Sequence, residues 1–195
     1  IFWELIRLKT LLKNGRIMDG SGEPSFVGSV ILKDDTIESV VTGEFDEEFD
    51  GQVIDCTGKV IAPGFIDAHS HNDWFAARQN PIPYFKPFVE QGITAQVTGN
   101  CGFSPFGYEK DTPYTKELTK NLFERGDAEG DFSTFGGWLA EAQKRVPLTL
   151  IPLQGHGAVR TGISGYANRP LTEQELLLHD AKIEESFDQG VFGLS

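Results

Sequence analysis

From about residue 61 onward the sequence repeats one pattern: a short apolar run, then a longer stretch with apolar residues at helical spacing. The strand-like runs cover residues 61–68, 94–98, 148–153 and 191–194, and helices are expected near residues 84–91, 135–145 and 172–189. Strands separated by helices return to the same edge of a sheet and pair in parallel, through right-handed crossovers. This alternation restricts the second part of the chain to an α/β fold. Before residue 61 the pattern differs. Short runs at residues 11–13, 16–18, 26–33, 36–41 and 52–56 are divided by Asn14-Gly15, Asp19-Gly20-Ser21-Gly22 and Asp34-Asp35, which predicts a small antiparallel sheet. Residues 104–131, with Pro105, Pro113 and several charges, read as an excursion over the strand ends, where functional groups gather.

The first strand of the α/β part ends abruptly. In Ala62-Pro63-Gly64-Phe65-Ile66-Asp67-Ala68-His69-Ser70-His71-Asn72-Asp73 an apolar run gives way to two imidazoles and two carboxylates within seven residues. Strand alternation puts His69 and His71 on one face, where both rings reach a single ion. Asp67 and Asp73 share that parity, and either carboxylate is placed to orient an imidazole from behind. A surface loop that merely follows a strand seldom concentrates such a set.

The second strand-like run leads into Gly99-Asn100-Cys101-Gly102, with glycines that allow a tight turn on both sides of the thiol. Adjacent parallel strands lie about 4.8 Å apart, so Cys101 comes within reach of the point served by His69 and His71. A thiolate with imidazoles is a zinc-type donor set. His156 stands at the end of the third run, between two glycines, and points toward the same mouth. Arg160 is a candidate for holding a substrate carboxylate. Cys56 reads as a small buried hydrophobe and His179 as a helix-surface residue.

Composition excludes several classes. A formal net charge of −12 disfavours nucleic acid or an anionic membrane as the main partner. No apolar stretch is long enough to span a bilayer, and Glu4, Arg7 and Lys9 interrupt the apolar start. Two cysteines are too few for a disulfide framework, which fits a reducing, cytoplasmic setting.

Pro63-Gly64-Phe65-Ile66-Asp67-Ala68-His69-Ser70-His71 resembles the first barrel strand of the amidohydrolase superfamily, and Gly99-Asn100-Cys101-Gly102-Phe103-Ser104 narrows the resemblance. The second motif is similar to that of the N-acyl-D-amino-acid deacylases, or D-aminoacylases, in which a cysteine replaces the carboxylated lysine of dihydroorotases and hydantoinases. Lys13-Asn14-Gly15-Arg16-Ile17-Met18-Asp19-Gly20-Ser21-Gly22, Gln154-Gly155-His156-Gly157-Ala158-Val159-Arg160 and Gln189-Gly190-Val191-Phe192-Gly193-Leu194-Ser195 fit the same family in order and spacing. The resemblance implies a TIM-type β/α barrel beside a β-sandwich, with zinc activating water to hydrolyse N-acyl-D-amino acids. Its implied ligands here are His69, His71 and Cys101, with Asp67, Asp73, His156 and Arg160 behind them or toward the substrate.

Such a barrel has eight strands, and the sequence shows three and the start of a fourth. The expectation is therefore an N-terminal part: residues 1–61 from the β-sandwich and residues 62–195 as about half a barrel, cut near strand 4. The general-base aspartate is expected beyond Ser195. Alone, such a chain is expected to have little activity and to self-associate through exposed edges. The alternatives are a cyclic-amide hydrolase of the dihydroorotase or hydantoinase type and a noncatalytic assembly module.

Overall fold

The computed structural model describes residues 9–108, 112–114 and 126–195, which fall into two compact units divided between Pro63 and Gly64. Much of the expected excursion over residues 104–131, and the apolar start, lie outside the described residues.

The first unit is one five-stranded sheet. Strands β1 (Lys9–Ile17), β2 (Phe26–Lys33) and β3 (Thr36–Thr42) form an antiparallel meander, with Asp34-Asp35 as the tight turn between β2 and β3. β4 (Gln52–Asp55) and β5 (Val60–Ile61) both pair with β1 in parallel, so the sheet is mixed rather than purely antiparallel. Asn14-Gly15 is not a hairpin turn. β1 runs straight through it as a β-bulge, in which Lys13 and Asn14 oppose Ser29 alone, and Asn14 takes a left-handed φ of 56°. Three hydrogen bonds hold that conformation: the Asn14 N–H donates to Ser29 Oγ (2.9 Å), and Asn14 Oδ1 accepts from the Phe45 N–H (2.8 Å) and from Ser29 Oγ (3.3 Å). Among the described residues, Leu11, Ile17, Val30 and Cys56 are the buried apolar ones here, and Cys56 is the small hydrophobe expected.

In the second unit four parallel strands lie in sequence order: β6 (Phe65–Asp67), β7 (Ile93–Thr98), β8 (Thr149–Gln154) and β9 (Gly193–Leu194). Order that advances in one direction is what a β/α-barrel wall requires; a doubly wound sheet would reverse. Among the described residues, the helices between them are α1 (Asp73–Ala76), α2 (Ile82–Val89), α3 (Phe135–Ala142), α4 (His156–Ser164) and α5 (Glu173–Asp188).

Helix α3 illustrates how the helical layer forms. Phe135, Trp138, Leu139 and Ala142 recur at i, i+3, i+4 and i+7, and Thr134 caps the start by accepting from the Gly137 N–H (3.1 Å). That face meets Phe106, Phe132, Ala76 and Val191, with the Phe106 ring 5.0 Å from Trp138 and 5.1 Å from Phe135. At α5 a capping box between Thr172 and Glu175 sets the start of the helix.

Two features escape the periodicity. α4, in Gly-rich sequence, has no strong helical signal of its own, yet Ala158, Val159, Thr161, Gly162 and Ser164 are buried along it. Its glycines serve close approach: a Cβ on Gly155 or Gly157 would stand 2.5 or 2.9 Å from the Gly102 carbonyl oxygen. His179, expected on the surface, is only 5% exposed, its ring 4.8 Å from that of His156.

Candidate metal centre

Three strand ends converge where the sequence placed its polar cluster. The N–H of Gly102, just after β7, donates to Ser195 Oγ (3.3 Å), while the Ser195 carbonyl accepts from the His156 N–H (2.8 Å). The Ser195 N–H in turn donates to the Gln154 carbonyl at the end of β8 (2.9 Å). These are the C-terminal ends of parallel strands, where barrel enzymes carry their active sites.

His69 and His71 lie beyond β6, in residues 68–72, so strand alternation is not what brings them together. The segment is instead tied at several points. Asp67 Oδ1 accepts from the His69 N–H (3.1 Å), the Ser70 N–H donates to the Val97 carbonyl (2.9 Å), and the Asn72 N–H donates to Ser70 Oγ (3.2 Å). The two imidazoles end with ring centroids 5.6 Å apart and steeply inclined, at 75°.

Cys101 sits in a single 3-10 turn, Asn100–Gly102, with φ 56° and ψ 23°. A non-glycine residue in this left-handed region is strained. Gly99 before it (φ 76°) packs so closely on the Leu153 carbonyl that no Cβ fits. The Asn100 amide braces the turn by donating to the carbonyls of Val97 (2.9 Å) and Ser70 (3.3 Å), which joins the cysteine turn to the histidine segment.

Together these constraints put the donor atoms of His69, His71 and Cys101 within 4.8 Å of one another, with His69 Nε2 3.4 Å from Cys101 Sγ. Around a tetrahedral zinc with ordinary bond lengths, a sulfur and a nitrogen stand about 3.5 Å apart. The donors therefore fit such an ion in both chemistry and span. Burial first, and His69 second, hold the His71 imidazole below its usual pKa, favouring the neutral form that binds metal. His69 and Cys101 are exposed, leaving the site open to a ligand.

The other expected residues take different places. Asp67 grips the His69 backbone, and its Oδ2 accepts from Gln96 (3.4 Å). Asp73 begins α1 and is fully buried; desolvation pushes its carboxyl well above the ordinary range, against the opposing pull of the Gly99 and Trp74 backbone N–H groups. His156 opens α4 and is not among the three clustered donors. Arg160 donates to the Arg169 carbonyl (2.6 Å).

Sequence reasoning missed the amides beneath the cluster: Asn72, Gln96 and Asn100 are all buried. A glutamine inside the apolar run Ile93-Thr94-Ala95-Gln96-Val97 was the visible signal.

Comparison with known proteins supplies a family. Residues 52–166 match the model described as the amidohydrolase family. The N-acyl-D-aspartate deacylase of Alcaligenes xylosoxydans xylosoxydans is 33% identical over 95% of this chain, and the D-aminoacylase of the same organism is 28% identical over 95%. The chain spans little more than a third of these relatives, 36% and 37% of their lengths. A solved D-aminoacylase structure, concerned with the functional role of its binuclear metal center, superposes with a TM-score of 0.77 at 26% identity, over 95% of this chain and 37% of that one.

Proposed function

From the fact that this chain belongs to the amidohydrolase family, we propose that it carries the first ligands of a zinc centre that hydrolyses the amide bond of N-acyl-D-amino acids. The observation that carries the reading is the convergence of His69, His71 and Cys101 within 4.8 Å at the strand ends. The likeness to the two deacylases supports the substrate class. Zinc held there supplies Lewis acidity, polarising an amide carbonyl and lowering the pKa of water to about 7.

The chain's own residues bind and orient. His69, His71 and Cys101 provide the donors, while Asp67 and Asn100 fix the backbone that presents them. Among the described residues no carboxylate joins this cluster.

The test is release of free amino acid by the zinc-loaded chain, with N-acetyl-D-amino acids, N-acetyl-L-amino acids and hydantoins offered side by side. D-selective release that chelation abolishes is expected. Release that is L-selective, hydantoin-selective or indifferent to chelation would overturn the proposal.

A further inference from the structure

Gln96 is fully buried near the middle of β7, a position where an apolar side chain would be the simpler choice. Its strand partner across the β6–β7 pair is Asp67. Gln96 Nε2 donates to Asp67 Oδ2 (3.4 Å), and Gln96 Oε1 accepts from Asn72 Nδ2 (3.1 Å). Asp67 and Asn72 are the two ends of the segment that contains His69 and His71.

The Gln96 amide nitrogen faces Asp67 and its oxygen faces Asn72, whose own amide nitrogen is also turned toward the Tyr84 carbonyl (3.5 Å). Flipping the amide would set oxygen against oxygen and nitrogen against nitrogen. Asp67 is itself engaged with the His69 N–H through Oδ1, which continues the chain from Asn72 through Gln96 and Asp67 to the His69 backbone.

We infer that Gln96 is a positioning residue for the metal centre, an amide clamp that ties Asp67 to Asn72 and so fixes the separation of the His69 and His71 imidazoles. This rests on the reading of His69, His71 and Cys101 as metal ligands. Gln96 touches no donor atom of the cluster; it acts through the two ends of the segment. Ser70 is held independently, by the Val97 carbonyl and the Asn100 amide. Loss of the clamp therefore loosens the histidine presentation without releasing the segment from β7.

The experiment measures Zn2+ affinity by competition with a chromophoric chelator, and the visible spectrum of the Co2+-loaded chain, for wild type, Gln96→Leu, Gln96→Glu and His69→Ala. Gln96→Leu keeps the bulk and removes the amide, and is expected to weaken zinc about 10-fold, the lower end of the range for residues that support metal ligands. Gln96→Glu sets a carboxylate against Asp67 and is expected to weaken zinc further. Both should change the Co2+ ligand-field bands while the far-ultraviolet circular dichroism of the metal-free chain is retained. Asn72→Ser breaks the same clamp from the other end; it is expected to reproduce the Gln96→Leu effect and decides the matter if that variant does not fold. Wild-type affinity and cobalt spectrum in Gln96→Leu or Asn72→Ser, with binding lost in His69→Ala, would overturn the clamp alone. Binding unaffected by His69→Ala would overturn the ligand assignment on which it rests.

Discussion

Replacing Cys101 by glycine should make the metal-free protein more stable while removing a metal donor. Cys101 holds φ 56°, a conformation that costs an L-residue about 1–2 kcal/mol and glycine almost nothing. Glycine gives back about 0.5–1 kcal/mol through the greater freedom of the unfolded chain. The side chain is exposed, so little buried contact is lost. The net gain is about 0.5–1 kcal/mol, a rise in Tm of about 1–4 °C for a chain of this size. Cys101→Ala keeps the Cβ and therefore the strain, and should melt with wild type. The assay is urea unfolding in chelator, so that bound metal does not contribute, followed by the fluorescence of Trp74 and Trp138 in the second unit. If Cys101→Gly is no more stable than Cys101→Ala, the turn is not strained by its cysteine.

Trp138 is wholly buried against Phe106 and Phe135, and Trp138→Ala should cost about 3–5 kcal/mol in the same unfolding assay. Arg169 first, and the Thr172 N–H next, pull the Glu175 carboxyl down to about 2. The unfolded chain binds this proton near 4.5, so the stabilisation is present above that pH and is lost as pH falls toward 2. NMR titration should show the low value, and Arg169→Ala should return it toward 4.5. The edge strands β6 and β9 carry the exposed Phe65, Ile66 and Leu194, with Phe192 beside them, so the chain is expected to self-associate. A monodisperse monomer in light scattering would contradict that expectation.

What the sequence disclosed was set by how local each signal is. Apolar runs and helical spacing placed β7, β8, α3 and α5 to within a few residues, and α3 buries the apolar face that its spacing shows. The polar cluster after Ile66 was visible for the same reason: chemistry-bearing residues interrupt an apolar run at one point. Strand alternation does not bring His69 and His71 together, since β6 stops at Asp67 and hydrogen bonds to β7 and within the segment hold them instead. Asn14-Gly15 carries a hairpin signature, but whether left-handed backbone makes a turn or a bulge depends on the partner strand, and β2 pairs on both sides of it. α4 is helical through burial against neighbours, which no propensity reports. Gln96 needed a register, Asp67 opposite Gln96, that only the folded sheet reveals.

His69, His71 and Cys101 are proposed to hold one metal ion among them. The deciding experiment is equilibrium dialysis against Zn2+, followed by metal analysis of wild type, His69→Ala, His71→Ala and Cys101→Ala. Zinc taken up by wild type and lost from each of the three variants is the predicted result; a tightly held zinc that survives both histidine substitutions would contradict it.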